Sequence, residues 1–541
     1  MADERSIREV RLEKLARMRE LGCDPFQRER FERTHSAREM LDRFDELAPD
    51  QEVQSPKCKV EIKFAGRIFS YRLMGKAGFA HISDGDAKIQ AYFRKDDLTE
   101  TEWELNNLLD IGDHVGVTGE LFLTRTGEKS IHARSLVILS KCLEPLPLGK
   151  TREVKDAEGN VTGTESWYEL EDTELRYRHR HLDLIANPEA RAMLINRAKI
   201  TTAVRHYFDS QGYLEVETPM LQFQAGGALA KPFTTHYNHY EMDVKLRISL
   251  ELYLKRIICG DVPKVYEIGR VFRNEGVSNR HSPEFTMCEF YEAYANLEDM
   301  MTHMEQCFRF VVKEVFGSAE ISTPQPPSSL TNQSEEGGSC LDFSKPWKRV
   351  DLLTEIERLT GLTQSDLSDL STALDRSDKL DLSDKAKAAG GFIDLKKENN
   401  LGGFIEKLLE VFVEPTLQEP TFVIGYPIET SPLAKKDPNR PGFTRRFEGF
   451  VLGREICNAF SEINDPIDQR ARFDDQLNQA AKGNVEAHGM DEEFIYALEC
   501  GMPPTGGCGF GIDRMAMLLT GAEHIREILF FPTMRPESRE P

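Results

Sequence analysis

Residues 270–294 read RVFRNEGVSNRHSPEFTMCEFYEAY, and they set arginines, a histidine, acids and alternating aromatics closer together than a purely structural segment would. Read as a hairpin, KVYEIGRVFR (264–273) runs through the loop NEGVSNRHSP (274–283) into EFTMCEFYEAY (284–294). Side chains alternate along a strand, so Phe285, Met287, Glu289 and Tyr291 share one face. Taken alone, an acid on such a face is an ordinary half-buried strand residue. The arginines shift that balance. Arg273 ends the first strand, Arg280 and His281 sit in the turn, and bidentate donors on a flexible loop can hold an anion. The stretch therefore predicts a phosphate site beside a pocket carrying an acid and an aromatic.

The rest of the chain bounds this reading. At 541 residues it is too long for one domain, and at about 150 residues each it holds three or four units. Its 69 Lys and Arg against 91 Asp and Glu give a net charge of -22, which disfavours a nonspecific binder of nucleic acid or anionic membranes and makes any RNA contact local. The 10 cysteines are scattered without a C-x-x-C pair, so neither a zinc site nor a disulfide framework is expected, and a reducing cytoplasm fits. No apolar run approaches the roughly 18 residues needed to span a bilayer.

Residues 5–21 predict an amphipathic helix with Leu12, Leu15, Met18 and Leu21 on one side, packing as a lid. From Val60 to Ser140 the texture changes to five short β-rich runs, VEIKFAGRIF, GFAHISD, KIQAYF, HVGVTGELF and SIHARSLVIL, punctuated by Gly and Asp turns. Five such strands suggest a small barrel of the OB type, which binds oligonucleotides on one face. This segment holds 10 Lys or Arg and 12 Asp or Glu, so a basic face there must be clustered. Residues 146–174 are polar and Gly-punctuated and read as a linker; residues 317–340 are apolar-poor and read as a surface insertion.

The opening stretch resembles motif 2 of class II aminoacyl-tRNA synthetases. ANPEARAMLINRAKITTAVRHYFDSQGYLEVETPML (186–221) resembles motif 1, and GFGIDRMAMLLTG (509–521) resembles motif 3, in the family's order. GFGIDR also approaches G-x-G-x-x-G, but Arg514 stands where the third glycine belongs, so a strand-to-helix turn presenting Arg514 to phosphate is the better reading. RYRHRHLDL, AGGALAKPFTTHYN, RISLELYLKR and GREICNAFSEIND are similar to bacterial-type lysyl-tRNA synthetases, from about residue 60 to the C-terminus.

The pocket residues argue separately for a cationic substrate. Glu289 and Tyr291 share a strand face, and Asn458, Phe460 and Glu462 repeat at spacing two, so acids, an amide and aromatics converge. A lysine side chain, with its apolar stem and terminal ammonium, matches aromatic walls that end in carboxylates; an aspartate would need arginine. Glu448, Glu455 and Glu462 are spaced by seven, which also suits a helix face, but Gly449, Gly453 and the β-prone residues favour paired strands. Glu455 then has the opposite parity to Glu462, and a bulge or turn near Ile456 is required if both face one site.

The resemblance implies an α+β chain: an N-terminal OB-fold barrel, then a class II catalytic domain with an antiparallel sheet flanked by helices. The expected division is an N-terminal helical region (1–59), the anticodon-binding barrel (60–145), a linker (146–175) and the catalytic domain (176–541). It implies that Gly227 and Glu251 hold the α-amino group of lysine and Arg273 its carboxylate, while Glu289, Tyr291, Asn458, Phe460 and Glu462 line its side chain. ATP would lie on Arg273, Glu275, His281, Phe285 and Arg514, with Arg273 and Arg514 catalytic and Phe285 against adenine. Glu448 and Glu455 would bind Mg²⁺ bridging its phosphates. Arg72, Phe79, Gln90 and Glu128 would read the anticodon, although Phe79 serves equally well as a core residue. The implied activity is ATP-dependent ligation of L-lysine to tRNA(Lys) by a cytoplasmic homodimer, with no membrane or DNA partner. A lysyl ligase acting on protein would share the catalytic motifs but lack the barrel. A non-enzymatic RNA-binding relative would have lost Arg273, Glu289, Glu462 or Arg514, and all four are present.

Overall fold

The computed structural model describes residues 6–48, 60–155, 161–228, 230–322, 340–388, 391, 393–394, 398, 400–481 and 489–537. The chain divides into two compact units, 1–187 and 188–541.

In the first unit, helix α1 (Ile7–Glu20) starts at a capping box in which Ser6 and Glu9 satisfy each other's backbone N–H groups. Leu15 and Met18 are buried as expected, but Leu12 is exposed. Met18 joins the barrel's core and Leu21 packs against it. Arg11 donates to the carbonyls of Ile111, Cys142 and Glu144, and Lys14 pairs with Asp110, which fixes α1 to the barrel's own loops. The barrel strands are β1 (Ile62–Met74), β2 (Ala77–Ser83), β3 (Lys88–Arg94), β4 (His114–Leu123) and β5 (Lys129–Ser140), with helix α2 (Glu100–Leu108) between β3 and β4. They close in the order β1-β2-β3-β5-β4. Alternation drives the closure: Ile62, Phe64 and Ile68 of β1, Ala80 and Ile82 of β2, and Ile89, Ala91 and Phe93 of β3 point inward and are buried. Residues 146–174 are not a plain linker. They contain an antiparallel pair, β6 (Leu148–Lys155) with β7 (Val161–Glu169), which the polar composition concealed.

The second unit is built on a sheet that, among the described residues, has eight strands. Helix α3 (Pro188–Ser210) leads to β8 (Leu214–Glu215); helix α4 (Glu251–Cys259) precedes the hairpin β9 (Lys264–Phe272) and β10 (Glu284–Ala293); helix α5 (Leu297–Phe316) follows. Then come β11 (Lys348–Asp351), β12 (Thr421–Ile424), β13 (Arg446–Val451), β14 (Arg454–Ser461), helix α6 (Pro466–Ala481), β15 (Thr505–Gly511) and helix α7 (Ile512–Thr520). The strand order is β11-β12-β13-β14-β15-β10-β9-β8, antiparallel except for the pairs β8/β9 and β11/β12 at the two edges. One face packs on α3, α5 and α7 through Phe208, Phe290, Met304, Phe308 and Phe510. The other face carries the cavity described below. Of the proposed insertion at 317–340, residues 323–339 lie outside the described residues, and Glu320–Ser322 pairs with Cys340–Asp342 on its flanks.

Candidate active site and nucleic-acid face

The central strand β15 decides the shape of the cavity. Gly507 stands between Tyr291 and Phe460 in the sheet register, Gly509 between Glu289 and Asn458, and Gly511 opposite Met287. Glycines at spacing two remove every side chain from one strip of the sheet face, and the larger neighbours become its walls. The resulting cavity of about 350 Å³ is lined by Gly227, Glu251, Arg273, Glu275, His281, Phe285, Glu289, Tyr291, Glu455, Asn458, Phe460 and Arg514. Glu448 and Glu462 are not among its lining residues.

The bulge required at Ile456 is present. Phe450 pairs with Glu455 and Gly449 with Cys457, so Ile456 is the extra residue and Glu455 turns to the same face as Asn458 and Phe460. Arg514, in the first turn of α7, donates from Nη1 to Glu455 Oε2 at 2.7 Å and to the Glu455 carbonyl at 3.0 Å. Burial opposes ionisation of Glu455, but Arg514 outweighs it and holds the carboxyl below its ordinary value. Asp513 beside it joins three segments: its Oδ1 accepts from Arg197 of α3 (Nη2, 2.7 Å) and its Oδ2 from the Thr286 backbone N–H of β10 (2.8 Å). Arg273 lies over the Phe285 ring, 5.2 Å from its centroid.

At the other end, Glu289 caps helix α4. Its Oε1 accepts from Ser249 Oγ and from the Leu250 N–H, both at 2.9 Å, and its Oε2 accepts from Tyr291 at 2.9 Å. Burial, and after it the nearby Glu251, push the Glu289 carboxyl up to about 7. Gly227 adopts φ +87, and a Cβ there would lie 2.8 Å from Ser249 Oγ and 2.9 Å from Ser249 Cβ, so only glycine fits. Glu462 is buried beside Gly507 and ion-pairs with Lys255 of α4. Lys255 also donates to Glu251 Oε1 at 2.5 Å.

The barrel has its own groove, of about 940 Å³, on the face formed by β1, β2, β3 and β5. Phe79 is half-buried in this groove and outside the core. It pairs across the ladder with Arg72 on one side and Tyr92 on the other, the two rings 5.0 Å apart. Gln90 donates to Glu128 Oε2 at 2.7 Å, and His81 Nε2 lies 2.7 Å from Glu128 Oε1. Arg72, Phe79, Gln90 and Glu128 thus share one surface, extended by Tyr92, Phe122 and His132 into an aromatic cluster.

Comparison with known proteins finds a match for each of the two parts of the chain. The family described as tRNA synthetases class II (D, K and N) matches residues 172–535. The chain belongs to this class II synthetase family. The description OB-fold nucleic acid binding domain matches residues 62–139. The lysine-tRNA ligase of Syntrophomonas wolfei is 47% identical over 99% of this chain and 98% of its own. Those of Carboxydothermus hydrogenoformans and Bacillus subtilis are 46% and 43% identical over 97% of this chain and 97% of their own.

Within the synthetase, Glu448 is held by Arg446 Nη2 at 2.6 Å and Tyr426 Oη at 2.9 Å, next to Glu455 across the β13/β14 pair. Burial raises its carboxyl above the ordinary value, and Glu455 adds to the shift. Glu414 is pushed up to about 8 by burial and by these same two acids. Such mutual repulsion is what a divalent cation relieves, and two carboxylates are the usual protein share of a Mg²⁺ site that takes its other oxygens from phosphates and water. Among the described residues no three His, Cys, Asp or Glu side chains converge as a metal-binding group of their own. Sequence reasoning missed Lys255 and Glu414. Lys255 was legible as the fourth residue after Glu251 on one helix, the spacing of a facing ion pair; Glu414 arrives from a distant segment and left no local signal. The partners of Phe79 and Gln90 in the groove, His81 and Tyr92, do follow from spacing two on β2 and β3.

Proposed function

We infer that the synthetase joins L-lysine to the 3′ end of tRNA(Lys) using ATP, through a lysyl-adenylate. The carrying observation is that Glu251, Glu289 and Tyr291 line a cavity together with Arg273 and Arg514, while Glu462 is buried just behind the lining, beside Gly507 and paired with Lys255. The acids suit ammonium groups; the guanidinium groups suit a carboxylate and phosphates. On this reading Gly227 and Glu251 receive the α-ammonium, Arg273 the carboxylate, and Glu289, Tyr291, Asn458, Phe460 and Glu462 the side chain. Glu275, His281, Phe285 and Arg514 receive ATP, with adenine against Phe285.

The lysine carboxylate is ionised at neutral pH, so its oxygen attacks the ATP α-phosphorus without a general base and pyrophosphate leaves. Arg273 and Arg514 align the two substrates and oppose the charge that builds on phosphorus. The terminal ribose hydroxyl of tRNA then attacks the adenylate carbonyl and AMP leaves. Mg²⁺ held by Glu448 and Glu455 would neutralise charge on the ATP phosphates.

The barrel, residues 60–145, is the anticodon reader, with Phe79 stacking a base and Arg72, Gln90 and Glu128 reading its edge; residues 176–541 form the catalytic domain. Its presence favours tRNA over a protein acceptor. A homodimer is supported by the exposed apolar side chains Leu214, Met220, Leu221, Phe223, Tyr237 and Met242 that follow α3. A cytoplasmic setting is supported by the nine described cysteines, all free thiols, and among the described residues no helix is long and apolar enough to cross a membrane. Pyrophosphate exchange across the twenty amino acids, followed by transfer to tRNA, tests the reading: exchange stimulated by lysine alone is expected, and stimulation by aspartate or asparagine instead would reject it.

A further inference from the structure

The ammonium of Lys255 lies between two carboxylates, Glu251, which lines the cavity, and Glu462, which is buried behind Gly507, and the side chain is completely buried. Its Nζ also lies 5.9 Å from the centroid of the Phe494 ring. Glu462 Oε1 has no hydrogen-bond partner among the described residues and lies against Gly507, which lines the cavity. With every group ionised, Glu251, Glu289 and Glu462 carry three negative charges, and Lys255 and Arg273 return two positive ones. The pocket is then one charge negative, and free lysine, with two ammonium groups and one carboxylate, is one charge positive.

We propose that Lys255 is a specificity-determining positioning residue: a fixed internal ammonium that holds Glu251 at the cavity and Glu462 behind Gly507 and cancels one of their charges, so that a bound lysine completes the charge balance of the ionised pocket. The proposal rests on the lysine reading above. A pocket with all three acids and no Lys255 would be two charges negative, and Glu462 would have nothing to hold its carboxylate against Gly507. A substrate lacking the second ammonium leaves the pocket one charge short.

The wild-type chain is first assayed for lysine-dependent pyrophosphate exchange; its absence would defeat the lysine reading, independently of Lys255. Lys255→Ala is expected to raise the KM for lysine by about ten-fold or more while the KM for ATP stays within about two-fold. Added n-propylammonium, which replaces the missing atoms and their charge, is expected to restore the KM, and 1-propanol is not. A wild-type KM for lysine in the variant would overturn the proposal. So would an equal rise in both KM values that propylammonium leaves unchanged, the mark of a packing residue. Should the variant fail to fold, the Lys255 side-chain ammonium resonance of the wild-type chain decides. It is expected to shift on addition of lysine and not of ATP alone, and an unmoved resonance with lysine bound overturns the assignment.

Discussion

Gly507→Ala adds one carbon to the chain at the position where the cavity floor meets its acidic end. The new Cβ would overlap Glu462 Oε1 and Tyr291 Cε1 and lie 2.6 Å from Tyr291 Cδ1. Tyr291 and Glu462 are both buried, so neither swings into solvent to make room. Overpacking of this kind costs about 1–3 kcal/mol of stability. The larger effect is on lysine. On the proposed reading, moving Glu462 off its ion pair removes a buried, charged contact from the substrate ammonium, which is worth about 2–5 kcal/mol, or about thirty-fold to several-thousand-fold in the KM for lysine. Gly506→Ala is the matched comparison. Its Cβ points to the opposite face, 3.0 Å from the Asn296 carbonyl and from the flexible end of Met300, so it perturbs the helix side of the sheet and not the pocket. Lysine-dependent exchange and thermal melting are measured on both variants. Gly507→Ala is expected to raise the KM for lysine far more than that for ATP; Gly506→Ala is expected to lower the melting temperature with lysine recognition unchanged. Unaltered lysine recognition in Gly507→Ala, or equal losses in both variants, would refute the placement of Glu462 and Tyr291 at the substrate.

Phe79→Ala should weaken tRNA charging by about 1–3 kcal/mol, one stacking contact, with pyrophosphate exchange intact; equal loss in both assays would reject the anticodon role. Arg514→Ala should nearly abolish adenylate formation. Because Glu455 is held below its ordinary carboxyl value when folded, its stabilisation is complete above that value and is lost as pH falls through the depressed one. The melting-temperature gap between Arg514→Ala and wild type should therefore be widest near neutral pH and close toward acid; a gap independent of pH would exclude the ion pair as its source. Lysine, ornithine and norleucine should be activated in that order. Norleucine should be rejected by about 10⁴-fold or more for its missing charge and ornithine by about 10- to 200-fold for its missing methylene; activation of norleucine as readily as lysine would show that the acids do not select the substrate.

The sequence by itself determined whatever depends on neighbours along one strand or helix. The barrel strands, the β9/β10 hairpin and the shared face of Phe285, Glu289 and Tyr291 follow from a period of two. The opposite parity of Glu455 and Glu462 called for a bulge or turn near Ile456 if both were to face one site, because a side chain changes face only when the ladder gains a residue, and the ladder does gain one there. Local composition misled where a pattern was weak: the polar run 146–174 hid the β6/β7 pair, and the apolar Leu12 faces solvent because α1 is anchored by Arg11 and Lys14. The tertiary structure alone decided what lies across the sheet. Gly507, Gly509 and Gly511 become a cavity floor only because β15 runs between β14 and β10, which sets it beside a strand from far earlier in the chain. Glu462 meets Lys255, and Glu414 nears Glu448 and Glu455, for the same reason. Buried charges must find opposite charges wherever the fold delivers them, and a contact between residues two hundred positions apart has no period to read.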